Sequence, residues 1–309
     1  VSATVLALTV AHGVLALVLP VVLVGLVNRT KARWAGRVGP GIWQSGWDLL
    51  RLLHKKPVYS ALSTPLFRAG AYVVLLASAL GALIAPMLGA FAPLQFTHDF
   101  VLFAYALGLA RLFLMVSALD VGSAFEGMGA AREASFSAFA EPALFLLIGA
   151  LALATGQTSF AALVGTLHAS ALYPVLVVPV VAALFILLQS EASRVPVDDP
   201  LTHLELTMVH EAMVLDHSGP ELAAMQYAGG LKLSTYAGLI AAVLNPFSPL
   251  EHPLAALLAA LGLLAAVALA VGCVESLRAR LRMRQVPRYL LLASLLACLS
   301  LAIAGAWGT

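Results

Sequence analysis

Apolar residues along this chain gather in eight long runs separated by polar intervals. The runs are Val1–Val27, Leu66–Leu88, Phe100–Leu119, Phe136–Thr155, Leu172–Leu188, Leu222–Val243, Leu254–Val274 and Tyr289–Trp307. A bilayer's hydrocarbon core is crossed by about 20 residues of helix, so each run is long enough, or nearly so, to span it. Strands of a membrane barrel would be roughly ten residues long with alternating polarity, and no segment has that pattern. The expectation is an all-α, polytopic integral membrane protein, with residues 1–309 forming a single transmembrane domain. The first run lacks the basic n-region and small-residue cleavage site of a signal peptide, and exceeds a signal core of about 7–15 residues. It is expected to be the first membrane helix.

The polar intervals sharpen this picture. Basic residues fall in every second connection. The first holds Arg29, Lys31, Arg33, Arg37, Arg51, Lys55 and Lys56, the third Arg132, the fifth Arg194, and the seventh Arg278, Arg280, Arg282, Arg284 and Arg288. The connections around residues 89–99, 156–171 and 244–253 hold no Lys or Arg. The positive-inside rule then places loops at about 28–64, 120–135, 189–221 and 276–288 in the cytoplasm and both termini outside. Within the first loop, "GPGIWQSGWDLLRLLHKK" puts Trp43, Trp47 and Leu50 on one helical face, with Asp48, Arg51 and Lys55 elsewhere. That predicts a short amphipathic helix lying in the membrane interface, anchored by Trp. "STPLF", Ser63–Phe67, predicts a helix start, with a hydroxyl cap followed by Pro at the first helical position. No internal repeat supports an inverted-repeat transporter.

Composition agrees with the pattern. The chain is 61% hydrophobic and only 10% charged, where a soluble domain carries about 25% charged residues. Its solvent is the lipid bilayer and nothing points to nucleic acid. Two cysteines, Cys273 and Cys298, lie in apolar runs without a CxxC. An iron–sulfur cluster needs about four thiolates, so none is expected on this chain.

Charges inside apolar runs each cost about 2.5–3.5 kcal/mol at a helix centre and so require a reason. They are Arg111, Glu141, Lys232 and Glu275. Arg111 and Lys232 can pair with carboxylates on other helices, while Glu275 can snorkel to the interface. Glu141, followed by Pro142, reads as a proton-path residue or as half of a structural ion pair. The segment "GSAFEGMGAARE" carries Glu126, Arg132 and Glu133 among small residues. It reads either as a cytoplasmic turn or as a polar way into the helix bundle.

The densest chemistry is "PVDDPLTHLELTMVHEAMVLDHSGPE", Pro196–Glu221. As a metal site it fails the HExxH spacing, because Val214 follows where a second His would stand after His210–Glu211. On a helix His203 and His210 share a face, but no third ligand joins them, so no metal is expected. As a nucleophile site it offers Ser218 beside His217, and sequence neighbours rarely form the required hydrogen bond. What remains is a cytoplasmic surface of acids and imidazoles suited to passing protons.

Four motifs occur in order, one per cytoplasmic connection: "GRVGPGIWQSGWDLLRLLHKK", "LDVGSAFEGMGAAREAS", "EASRVPVDDPLTHLELT…LDHSG" and "VESLRARLR". On these the chain resembles the HycD/HyfC-type membrane subunit of formate hydrogenlyase and other energy-converting group 4 NiFe hydrogenases, itself related to the quinone-chamber membrane subunit of respiratory complex I. The resemblance covers nearly the whole chain. It implies a non-catalytic subunit in a prokaryotic inner membrane that anchors a peripheral arm of NiFe-hydrogenase-like large subunit and iron–sulfur subunits. It further implies a polar path toward antiporter-like membrane subunits, with the NiFe centre and clusters held by partners and quinone a possible acceptor. Glu141 matches the family's helix-four glutamate, and Glu191, Asp198 and Glu205 match acids of the third cytoplasmic loop. Asp216, Ser218 and Gly219 match the motif closing that loop, where His217 replaces an aromatic residue. Arg37, Gly39, Pro40, Gln44 and Asp48 match the first-loop motif. The proton-path candidates are thus Arg111, Glu126, Glu133, Glu141, Glu191, Asp198, Asp199, Glu205, Glu211, Asp216, Lys232 and Glu275. The docking or cavity candidates are Arg37, Gly39, Pro40, Trp43, Gln44, Asp48, Arg132, Arg194, His203, His210 and His217. A stand-alone secondary transporter and an intramembrane metalloenzyme are the competing readings.

Overall fold

The computed structural model describes residues 3–199 and 208–307. Among the described residues there are eleven helices and no strand. They are α1 (Ala3–Trp34), α2 (Gln44–Leu53), α3 (Pro65–Ile84), α4 (Asp99–Asp120), α5 (Ala124–Thr155), α6 (Phe160–Ala169), α7 (Tyr173–Glu191), α8 (His210–Met213), α9 (Gly219–Leu244), α10 (Pro253–Leu277) and α11 (Val286–Trp307). All but α2, α6 and α8 are long and apolar enough to cross a membrane, so the eight predicted spans are present.

Local sequence explains the ends. Thr64 caps α3, its hydroxyl accepting from the Leu66 amide at 3.2 Å, and Pro65 takes the first helical position. Gly156 closes α5 in the left-handed conformation, with φ 68°. Two helices run further than their apolar runs. α1 continues through Arg29, Lys31 and Arg33 to Trp34, and α5 starts at Ala124, well before Phe136. Hydropathy marks only the hydrocarbon crossing, whereas Ala, Glu, Met and Arg are strong helix formers in or out of it. "GSAFEGMGAARE" is therefore the first turns of α5 from Ala124 onward, not a turn. The apolar helix α6 lies within the connection expected to be plain loop, and it is too short to cross.

α9 sits at the centre, packed against α3, α1, α7 and α10, while α11 lies along α5 and α7. Exposed leucines such as Leu254, Leu258 and Leu295 mark outward faces of α10 and α11. The four basic connections meet at one end of the bundle. Asp120 accepts from the Thr64 amide and hydroxyl at 2.7 and 2.8 Å, Ser218 bonds Val58 in both directions, and Arg280 binds Asp198. At the opposite end, buried Asp99 accepts from Ser159 and from the Phe160 amide, fixing the start of α6.

Helix α2 is tied to α1 by close backbone approach. A Cβ on Gly25 would lie 2.0 Å from the Ile42 carbonyl oxygen, so only glycine lets the chain before α2 fold back on α1.

Candidate functional site

Arg111, on α4, is buried to 4% exposure and gathers three carboxylates. Its guanidinium donates to Glu141 and to Glu191, and its Nε lies 3.3 Å from Glu133. Glu133 and Glu141 stand about two turns apart on α5, which puts both on one face, and Glu191 is the last residue of α7. The side chains grade outward, from 5% exposed for Glu191 to 19% for Glu133 and 51% for Glu141. Lys232, buried on α9, lies in the electrostatic field of Glu191 and Glu133, and Tyr236, one turn later, in that of Glu191 and Glu141. Three carboxylates therefore face two cations.

A chain of cavities leads to this cluster. A space of about 20 Å³, lined by Glu191, Ser193, His210, Met225 and Lys232, is large enough for one water. It shares Ala192, Ser193, His210 and Gly229 with a polar chamber of about 260 Å³. Asn28, Asp48, Arg194, Glu211 and Gln226 face that chamber. The chamber in turn shares Val21, Leu49 and Tyr227 with an apolar groove of about 610 Å³ between α1, α2, α3 and α9, where Trp43 and Trp47 stand. Burial lowers His210 to about 4, helped by Lys232 and Arg194, and raises Glu211 to about 7, helped by Asp198 and Asp199.

The remaining candidates fall around this line. Asp198 is buried, accepting from the His210 and Asp199 amides and pairing with Arg280, and its burial pushes its carboxyl up. Arg132 donates to the Met208 carbonyl at 2.8 Å and so braces α5 against the chain leading to α8. Arg194 and Lys31 lie 3.6 and 2.9 Å from Glu275, which is buried at the end of α10. Glu275 thus does not snorkel to the interface; it is the buried acid joining α1, α10 and the turn after α7. Glu126 is buried and accepts from the Asp216 amide at 3.3 Å. Arg37, Gly39 and Pro40 form the exposed turn after α1, and Gln44 donates to Asp48 along α2. His203 and Glu205 lie outside the described residues.

His217 has a partner other than its neighbour Ser218. Its Nε2 lies 3.0 Å from the Ser117 hydroxyl and its ring stacks on Phe67 at 3.9 Å, while Glu221 stands 3.9 Å from Nδ1. Ser117 is fully buried, so this trio offers no attack on a substrate; burial holds His217 neutral, lowered to about 4. Ser218 instead ties α9 to Val58, beside Gly219 (φ 57°), where a Cβ would lie 2.8 Å from the Lys55 carbonyl oxygen. Among the described residues no three His, Cys, Asp or Glu side chains converge to hold a metal.

Sequence reasoning missed Tyr236, Ser117, Glu221, which accepts from the Tyr59 hydroxyl at 2.7 Å, and the Tyr289–Gln189 hydrogen bond. Each is a neutral side chain in an apolar run or an acid in a first helical turn, where its type is unremarkable. Glu221 was detectable only as an acid at a helix start.

The family described as NADH dehydrogenase matches residues 6–305. Hydrogenase-4 component C of Escherichia coli K12 is 31% identical over 237 residues, covering 77% of this chain and 74% of that one. Formate hydrogenlyase subunit 4 of the same organism is 29% identical over 276 residues, covering 85% and 87%. A chain in the structure of the membrane-bound sulfane sulfur reductase, an archaeal respiratory membrane complex, superposes with a TM-score of 0.81. It is 20% identical, with 97% and 98% of the two chains covered, so it speaks for the fold.

Proposed function

Since this chain belongs to the NADH dehydrogenase family, as its likeness to hydrogenase-4 component C also indicates, we propose that it is the membrane-anchor and ion-path subunit of a redox-driven ion-translocating complex. It couples electron transfer in a peripheral arm to ion movement in the bilayer. The observation that carries this reading is the run of adjoining cavities from the chamber, past His210, to Glu191 and Lys232, continued by the ion pairs that join Glu191 through Arg111 to Glu141. An excess carboxylate among buried charges is costly unless a proton or cation joins it. A cluster of three carboxylates and two cations therefore favours carrying one mobile proton. Glu141, half-exposed on the flank of the bundle, is the point where that proton would pass to a neighbouring membrane subunit.

On this reading the basic connections face the cytoplasm of a prokaryotic cell, both termini lie outside, and α2 rests in the membrane interface. The partners are a NiFe-hydrogenase-like large subunit and iron–sulfur subunits on the cytoplasmic side, with antiporter-like subunits in the membrane. Metal clusters belong to those partners. Cys273 bonds the Trp34 indole and Cys298 is exposed on α11, and two thiols cannot supply the set of about four that a cluster needs. The continuity of apolar groove and polar chamber supports a second reading for the acceptor, a quinone with its tail in the groove and its head near His210 and Asp48.

The test uses the whole complex in sealed vesicles. Glu141→Gln is expected to leave assembly and electron transfer in place while lowering ion translocation several-fold. Translocation equal to wild type would make Glu141 a structural partner of Arg111 and overturn its place in the path.

A further inference from the structure

Helix α2 has an outer edge that the ion path does not use. Its apolar residues Gly46, Leu50 and Leu53, with Leu17 of α1, Tyr72 of α3 and Ala224 of α9, line the groove of about 610 Å³. That size lies within the range of about 300–1,000 Å³ typical of small-molecule sites. The Tyr227 hydroxyl at the groove is already used, donating to the Leu17 carbonyl at 2.9 Å. Beyond Trp47 and Leu50 the groove continues into an open hollow, which those two residues also line, together with Gln44, Arg51 and His54. The helix explains the division. Gln44 and Arg51 stand one heptad apart on one face, and Trp47 lies between that face and the apolar one. Arg51 is exposed, and among the described residues its one ion pair is with Asp48 at 3.6 Å. Asp48 already accepts from Gln44 at 3.0 Å. The His54 ring donates to the Leu50 carbonyl at 2.7 Å, covering part of the negative end of α2. Lys55, exposed one turn beyond Arg51, adds a second positive charge.

An apolar groove that opens onto a basic hollow matches a molecule with a long tail and an anionic head. We propose that these two adjoining cavities bind one anionic glycerophospholipid, with an acyl chain in the groove between α1, α2, α3 and α9 and its phosphate at Arg51. The site requires α2 to lie in the membrane interface, as in the function proposed for the chain. In that position the groove meets hydrocarbon, Trp47 stands at the interface as tryptophans prefer, and Arg51 and Lys55 reach the headgroups. An acyl chain entering from the bilayer leaves one apolar medium for another, so its transfer contributes little. Selectivity then falls to the charge, and one arginine at a membrane surface contributes roughly fivefold in affinity for an anionic headgroup. Charge complementarity favours this occupant over a quinone, whose uncharged head gains nothing from Arg51.

In the experiment the full chain, purified in mild detergent, is exchanged into nanodiscs of equal phosphatidylglycerol and phosphatidylcholine, and the lipid that stays bound is read by native mass spectrometry. Wild type is expected to keep phosphatidylglycerol in preference to phosphatidylcholine. Arg51→Gln should lower that retention roughly fivefold, while Arg51→Lys, which keeps the charge, should retain most of it. Leu17→Trp, which fills the groove and leaves the hollow intact, should also lower it several-fold. Helicity by circular dichroism checks that the variants fold. Equal retention of the two lipids by wild type, or undiminished retention by Arg51→Gln, would overturn the site. Loss with Arg51→Gln but not with Leu17→Trp would mean that surface charge alone attracts the lipid, and a quinone retained instead of a phospholipid would give the groove to the acceptor; both reject the proposal. Quenching of Trp43 and Trp47 by brominated lipid, in W34F/W307F protein, tests the placement of α2 separately. Quenching without selective retention removes the lipid site alone, whereas no quenching removes the interfacial placement of α2 as well.

Discussion

Glu211 and His210 are adjacent in sequence, yet burial moves them in opposite directions. Glu211 is raised to about 7 from 4.5, so the folded chain holds its proton more tightly than the unfolded one. Its contribution to stability is complete below about 4.5 and fades as pH rises through 7. His210 and His217, lowered to about 4 from 6.5, behave the other way. Their contribution is complete above about 6.5 and is lost as pH falls toward 4. Near neutrality the chamber thus holds a neutral imidazole beside a carboxyl that is about half protonated. Ion translocation by the complex is expected to show an inflection near pH 7 that Glu211→Gln removes. An inflection unchanged by that substitution would place the titrating group elsewhere. At this scale Arg111, Glu141 and Lys232 were legible in the sequence, because a charge in an apolar run demands a partner. Their convergence with Glu133 and Glu191 was not, since it depends on how α4, α5, α7 and α9 are rotated. The sharing of a face by His203 and His210, one heptad apart, lies outside the described residues at its His203 end; His210 itself opens α8.

The eight spanning helices were readable because a bilayer imposes one length on every crossing. Their polar extensions were not, because hydropathy falls silent where α1 and α5 leave the hydrocarbon while helix propensity continues. Helix α2 was legible from the alternation of Trp43, Trp47 and Leu50, all of which are exposed. What seats it was hidden: the approach of Ile42 to Gly25, on a helix read only as apolar. Gly25→Leu is therefore expected to dislodge α2 at a cost of about 1–3 kcal/mol from overpacking. The readout is faster trypsin cleavage after Arg51 and Lys55 in the folded protein. Cleavage at the wild-type rate would mean that α2 is held by its own side chains.

The whole molecule places its least hydrophobic span at its centre. The best window of α9 has a mean hydropathy of 1.2, against 2.7 for α10, and 83% of it is buried. Lys232, Ser234 and Thr235 are tolerated there because α1, α3, α7 and α10 surround them. The same arrangement constrains how the protein is made. A segment so weakly attracted to lipid gains little by partitioning alone from the insertion machinery; its stable position exists only once earlier helices wait beside the exit. Biogenesis is thus expected to proceed with α1, α3 and α7 held near the ribosome until α9 emerges. Placed alone in a neutral host protein, α9 should insert in a minority of chains, judged by a glycosylation acceptor after Leu244, and in most chains when residues 3–244 precede the acceptor. Equal insertion in both contexts would show that α9 needs no companions.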